Sequence, residues 1–196
     1  MANKSGKAPY ISEDEFSFTL DAIWSKDRYN LRNICVFYFS HFLGLRSKEL
    51  ASLKIGDVYD TKRSLVKETV RLIGAYTKGN KFREVFLVHD DAKQYLIDYL
   101  AQRDLSDPSA PLFLSQKNRS FSADTMRKMI KICYQKAGIN ATSHSGRRSF
   151  ATRLIRKNVD IYSIKELMGH SDISITQEYF ATDPNLLKQA IIKLNQ

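Results

Sequence analysis

The sequence predicts a mainly helical fold with α+β character: a helical bundle with one small antiparallel β-sheet inserted after the third helix. Three observations carry this. Apolar residues recur at helical spacing along most of the chain, in runs opened by capping residues or closed by glycines. One stretch, "TVRLIGAYTKGNKFREVFLVH", instead sets β-branched and aromatic residues around a Gly79-Asn80 pair and reads as a hairpin. No Gly-, Ser- or Pro-rich linker divides the chain, so residues 1–196 read as a single domain behind a flexible N-terminus at 1–11.

The elements follow in order. "SEDEF" opens the first helix with a Ser12…Glu15 capping box, and that helix runs to about Lys26. The second runs from about Asn30 to Leu43, is strongly apolar, and stops at Gly44. "SKELASL" is a short third helix, and "GDVYDTKRSLVKE" gives a turn and a strand before the hairpin. "DDAKQYLIDYLAQR" is a helix with Asp90 or Asp91 near its N-cap, "SDPSAP" a loop, and "PLFLS" a short extended piece. Further helices are "SADTMRKMIKICYQKAGI", ending at Gly138, then "SGRRSFATRLIRKN" and "YSIKELMG". "SITQEYF" is a short helix entered through a Ser174…Gln177 capping box. "DPNLLKQAIIKLN" closes the chain as an amphipathic helix over 184–196, with Leu186, Leu187, Ala190, Ile191 and Leu194 on one face.

Composition narrows the function. With 43% hydrophobic residues the chain can fill a real core. No apolar run approaches the roughly 18 residues of a membrane span. The longest, "ICVFYFSHFLGL", is broken by Ser40 and His41 and reads as a buried helix. The polar start "MANKSGKAPY" is not a signal peptide, and Cys35 and Cys133 sit in apolar surroundings without CxxC spacing. These point to reduced core thiols in a cytoplasmic protein. The net charge of +10 points to a polyanionic partner, nucleic acid being the commonest.

Some charged residues break the core pattern. In "HSGRRSFATRLIRKN", Phe150, Ala151, Leu154 and Ile155 form the apolar stripe, and Arg147 shares that face one turn earlier. An arginine in the first turn opposes the helix dipole unless an anion sits there. With His144 just before it, the helix start is either an anion site or an arginine paired with a distant carboxylate. Arg148, Arg153, Arg156 and Lys157 lie largely off the stripe, on a solvated or DNA-backbone-facing surface. In "GLRSKELASL", Glu49 lies three residues after Arg46, as a surface ion pair or as a group aiming Arg46 at a ligand. Lys78 and Lys81 flank the hairpin turn, where a lysine is either solvated or reaches into a site. In "LMGHSDISITQEYF", His170 is a loop histidine and Tyr179 one of ten tyrosines; residue pattern alone leaves Tyr179 between packing and chemistry.

The order of these weak signals resembles the catalytic domain of the tyrosine recombinases, or phage integrase family. The matching segments are "GLRSKELASL", "YTKGNKFREVFL", "SHSGRRSFATRL" and "LMGHSDISITQEYF", within a likeness running from about Glu13 to Asp183. The family's catalytic series of Arg, Lys, His-x-x-Arg, His or Trp, then Tyr falls on Arg46, Lys78, His144, Arg147, His170 and Tyr179. The supporting acid falls on Glu49. The resemblance implies a site-specific recombinase of the integrase or invertase kind. It would cleave and rejoin double-stranded DNA through a 3′-phosphotyrosyl link, with Tyr179 as nucleophile and no cofactor, ATP or metal. Lys81, Arg83, Arg148, Arg153, Arg156 and Lys157 are then expected on DNA phosphates. The implied assembly is a homo-tetramer on DNA, with a monomer as the free-state alternative. The 184–196 helix either packs on its own domain or exchanges between protomers. Accessory DNA-bending or directionality proteins and a nucleoid-associated, cytoplasmic location complete the expectation. The rival readings are a type IB topoisomerase-like enzyme, which typically lacks the His-x-x-Arg form, and an inactive DNA-binding regulator of the same fold.

Two features depart from the family pattern. Arg148 stands where the family often has histidine, and only residues 1–45 precede Arg46. No separate N-terminal DNA-clamping domain fits in that span. The chain therefore resembles the short members that invert fimbrial promoters, and it is expected to be a natural short protein rather than a truncated one.

Overall fold

The computed structural model describes residues 8–76 and 82–180, together with Ile192. The predicted closing helix, the hairpin tip with Gly79 and Asn80, and the lysines Lys78 and Lys81 lie outside the described residues. Helix α1 (Glu13–Lys26) starts as its sequence predicts. Ser12 Oγ accepts from the Glu15 N–H at 3.2 Å, and Glu15 Oε2 accepts from the Ser12 N–H at 2.9 Å. Helix α2 (Asn30–Phe42) is buried on every side from Arg32 to His41 and packs against α1 and two later helices, α5 (Asp90–Leu100) and α7 (Ser145–Arg156). A helix apolar all round belongs in the centre of a fold. The polar residues that interrupt its apolar run are accommodated there: Ser40 and His41 are buried, as are Arg32 and Asn33 before it, and His41 Nε2 lies 2.7 Å from the Tyr134 hydroxyl.

Helix α3 (Ser47–Ser52) is followed by a single helical turn, α4 (Ile55–Val58), where the sequence predicts a turn before a strand. The β region differs from expectation in two ways. It forms two separate antiparallel pairs, β1 (Tyr59–Asp60) with β2 (Leu65–Val66), and β3 (Thr69–Leu72) with β4 (Arg83–Phe86). The second pair runs from Thr69 opposite Phe86 to Leu72 opposite Arg83, and a 3-10 turn at Gly74–Tyr76 follows β3. The described strands end at Leu72 and Arg83, so residues 73–82 separate them rather than two residues, and the Gly79-Asn80 pair among these lies outside the described residues. Side chains alternate along this ladder: Val70, Leu72, Arg83 and Val85 face inward.

Helix α5 carries Asp90 and Asp91 in its first turn, after His89. Helix α6 (Ala123–Lys136) is capped by Ser122 and reaches Gly138. Helices α7, α8 (Ile161–Met168) and α9 (Ile173–Phe180) close the described chain. The entry to α9 differs from expectation. Asp172 Oδ1 accepts from the Ser174 N–H at 2.8 Å, so Asp172 takes the capping role and Ser174 lies inside the helix.

A large apolar core joins α1–α6 and the strands, and a smaller cluster of Ala151, Ile155, Ile164 and Met168 unites α7 and α8. Phe150, Leu154 and Tyr179 pack at the edge of that smaller cluster, so the α7 stripe is the one the sequence predicts. Cys35 and Cys133 are free and buried, and burial pushes both thiols up, Cys133 to about 12. Among the described residues no helix is long and apolar enough to cross a membrane.

Candidate active site

The site forms where the start of α7 meets the end of α8. Gly169 stops α8 in the left-handed region at φ 58°, and its N–H returns to the Glu166 carbonyl at 2.9 Å. The carbonyls of Leu167, Met168 and Gly169 are thereby free to face three arginines from distant parts of the chain. The end of a helix carries negative partial charge, which suits it to hold guanidinium groups.

Arg147 is buried. Its Nη1 donates to the Gly44 carbonyl at 2.5 Å and its Nη2 to the Met168 carbonyl. Gly44 ends α2 with φ 64°, and a Cβ there would stand 2.5 Å from the Phe150 ring of α7. Among the described residues Arg147 thus pairs with no distant carboxylate directly; main-chain oxygens hold both ends of its fork. Burial, then the charges of Arg46 and Arg83, lower its guanidinium pKa to about 9. A group this crowded with positive charge is prepared for an anion.

Arg46 precedes α3. Its Nη1 donates to Glu49 Oε1 at 2.9 Å, and its backbone N–H to Glu49 Oε2 at 2.7 Å. Its Nη2 reaches the Met168 and Gly169 carbonyls at 3.3 and 3.2 Å. Glu49 is fully buried, so this is no surface ion pair. Burial pushes its carboxyl up, but Arg83, Arg147 and the Arg46 backbone and side chain outweigh that and hold it below the ordinary value.

Arg83, expected on DNA phosphates, is instead buried. Its Nη2 donates to Glu49 Oε2 at 2.6 Å and its Nη1 to the Leu167 carbonyl at 2.5 Å. The strand period explains this, because Arg83 shares the inward face of β4 with Val85. That alternation was the sequence signal for it. Arg153 also departs from expectation. Its Nη2 donates to the His41 carbonyl, and its guanidinium lies 4.5 Å from the centre of the Phe42 ring. Exposed Arg156 stands 4.5 Å from the centre of the Tyr10 ring, and Lys157 is exposed at the end of α7.

His170 is buried beside the arginines. Its Nδ1 lies 2.9 Å from Thr176 Oγ1, and its ring is parallel to that of Tyr179 with centroids 6.0 Å apart. Burial first, then Arg147, Arg46 and Arg83, lower its pKa to about 3, which keeps the imidazole neutral. Thr176 is the other residue that sequence reasoning missed; only its complete burial on the inner face of α9 reveals it.

Tyr179 and His144 line one open cleft of about 420 Å³ with Arg147 and Arg148. His144, at the N-cap of α7, keeps part of its surface open to solvent, while desolvation of its covered part, then the charges of Arg147, Arg127 and Arg46, hold its pKa down. Tyr179 is half-buried, so it both packs on the small apolar cluster and lines the cleft. The structure therefore gathers Arg46, Glu49, His144, Arg147, His170 and Tyr179, while Lys78 lies outside the described residues. Among the described residues no three His, Cys, Asp or Glu side chains group as metal ligands.

Comparison with known proteins gives this arrangement a lineage. The tyrosine recombinase XerA of Pyrococcus furiosus is 33% identical over 188 residues, covering 94% of this chain and 61% of that protein. XerC of Lactobacillus delbrueckii subsp. bulgaricus is 30% identical, covering 87% of this chain and 57% of its own. This chain thus spans about three fifths of these relatives. Among solved structures, XerA recombinase superposes with a TM-score of 0.76 at 28% identity, over 96% of this chain and 65% of that one. XerH bound to a palindromic difH substrate, a post-cleavage complex, gives 0.74 at 25% identity, over 100% of this chain and 56% of that one. The family model described as "Phage integrase family" matches residues 10–185. On a match of that extent, the chain belongs to the phage integrase family.

Proposed function

We propose that this chain is a site-specific DNA recombinase that breaks and rejoins double-stranded DNA through a covalent 3′-phosphotyrosyl intermediate. The observation that carries the reading is the meeting of Arg46 and Arg147 on one helix end, beside His170 and Tyr179. Two guanidinium groups held in a buried setting can grip the non-bridging oxygens of a phosphodiester. As Tyr179 Oη attacks phosphorus, charge builds on those oxygens, and the arginines stabilise it without a metal ion. His170 adds a donor when the Thr176 hydroxyl donates to Nδ1 and the imidazole proton sits on Nε2.

A phenol with a pKa near 10 is a poor nucleophile at neutral pH. His144, on the same cleft, takes its proton. The Oη–P bond forms, the P–O5′ bond breaks, and the leaving 5′ oxygen takes a proton from Lys78. Attack by a 5′ hydroxyl reverses each step and returns the bond energy to DNA, so ATP is not consumed. Exposed Lys157 and Arg156, with Arg148 on the cleft wall, serve phosphate contact. Arg83 and Arg153 are withdrawn from that role by their internal contacts. The working assembly is a homo-tetramer on DNA.

The test uses nicked duplexes selected by binding from a random pool. Wild-type protein forms a covalent adduct, and Tyr179→Phe binds the same DNA without forming one. An adduct that persists in Tyr179→Phe overturns the assignment.

A further inference from the structure

We infer that Arg83 is a positioning residue for the phosphate clamp, fixing the Glu49 carboxylate and the end of α8 where Arg46 and His170 need them. This rests on the recombinase reading of the site. Arg83 joins three segments. It stands on β4, one nitrogen binds Glu49 of α3 at 2.6 Å, and another binds the Leu167 carbonyl of α8 at 2.5 Å. Its stem lies against Gly169, where a Cβ would meet Arg83 Cδ at 2.5 Å. His170 follows directly, so the arginine holds the backbone from which that histidine projects.

Glu49 divides its oxygens accordingly. Oε1 takes Arg46 Nη1, and Oε2 is shared by the Arg46 N–H and Arg83 Nη2. Removing Arg83 leaves Oε2 with one donor and the carboxylate free to turn, and Arg46 turns with it. Stability alone does not account for the residue. A buried ion pair is often no better for stability than apolar side chains of similar volume, and Arg83 Nε is buried without a hydrogen-bond partner among the described residues. What an apolar side chain lacks is the two-ended grip. Lysine has a single nitrogen and cannot reproduce the fork.

The experiment follows the single-turnover rate of adduct formation on a nicked duplex, with DNA affinity and circular-dichroism melting measured in parallel, for wild type, Arg83→Met and Arg83→Lys. Both variants are expected to bind DNA as the wild type does. Adduct formation is expected to slow on the order of 100-fold in Arg83→Met, the scale of a small misplacement of reacting groups, with partial recovery in Arg83→Lys. In Arg83→Met the acid limb of the rate profile moves to higher pH, because Arg46 and Arg147 alone then face the Glu49 carboxylate. Adding Glu49→Gln removes that displaced limb. A wild-type rate in Arg83→Met overturns the inference. So does a loss of affinity matching the loss of rate, which makes Arg83 a DNA contact, or a loss uniform across pH, which makes it structural only. If Arg83→Met fails to fold, Arg83→Lys decides by the same comparison of rate with affinity; failure of both to fold also makes the residue structural only. Wild-type protein without adduct overturns the recombinase reading itself, and this inference with it.

Discussion

Arg46 and Arg147 donate to the same oxygen, the carbonyl of Met168. They come to it with different freedom. Arg147 is locked between the Gly44 and Met168 carbonyls, whereas Arg46 reaches Met168 and Gly169 at 3.3 and 3.2 Å, at the long end of hydrogen bonding. Arg46 is therefore the arm that exchanges a main-chain oxygen for a phosphate oxygen at least cost. Replacing it with lysine keeps the charge and loses the fork. Arg46→Lys is expected to slow adduct formation by about 100- to 1,000-fold, the usual cost of a lost transition-state donor, with DNA affinity little changed. A wild-type rate in a single-turnover assay means that the clamp is assigned to the wrong arginine.

Among the described residues Glu49 is the carboxylate that meets Arg46, Arg83 and Arg147, and Glu49→Gln leaves three crowded cations without it. Breaking a buried ionic cluster in this way costs about 3–5 kcal/mol, to be read from urea unfolding at neutral pH; a loss below about 1 kcal/mol contradicts it. The acid side gives a second check. Because the folded carboxyl lies below its ordinary value of 4.5, its contribution is complete above that value and is lost as pH falls beneath it. The Glu49→Gln protein should show a flatter decline of stability in that acid window than the wild type.

The parts of this site that local pattern made legible are those that obey a period. The capping box of α1, the apolar stripe of α7 and the glycine stops after α2, α6 and α8 all follow from spacing. Arg147 was suspect because it stood on a core face. Arg83 stands on the core face of a strand in the same way, yet the family resemblance, taken with its basic surroundings, puts it among the expected DNA contacts. What no pattern held was the meeting of Leu167, Met168 and Gly169 with arginines from the N-cap of α3, from β4 and from α7, because long-range main-chain contacts leave no periodic trace. The start of α9 was misread for a nearer reason. Asp172 and Ser174 both cap well, and the chain uses the earlier one.

His170 predicts a pH dependence. Its pKa in the folded chain is about 3, against an ordinary 6.5, through burial and then Arg147, Arg46 and Arg83. Between those values the unfolded chain takes up a proton that the folded chain refuses, so stability falls as pH drops through the window. His144 and the fully buried His41 are lowered as well and act in the same direction. Melting temperature is expected to fall from pH 7 to pH 5, and His170→Gln to fall less steeply. Equal slopes in the two proteins mean that His170 is not held neutral.

Arg153 and Lys157, one helical turn apart on α7, should separate folding from DNA contact. Lys157 is exposed at the helix end, where its charge is open to a phosphate. Arg153 is turned onto α2, donating to the His41 carbonyl and lying over the Phe42 ring at 4.5 Å. That carbonyl is in the last turn of α2, where a cation both satisfies an oxygen and meets the negative end of the dipole. Arg153→Ala should therefore lower stability by about 1–3 kcal/mol, the loss of a charged hydrogen bond and a stacked guanidinium, with the salt dependence of DNA affinity unchanged. Lys157→Ala should leave the melting curve in place and reduce the slope of log affinity against log salt by about one, the signature of one lost phosphate contact. If Arg153→Ala shows the smaller salt slope with wild-type stability, its inward contacts give way to DNA in the complex, and the basic face of α7 is wider than the free protein presents.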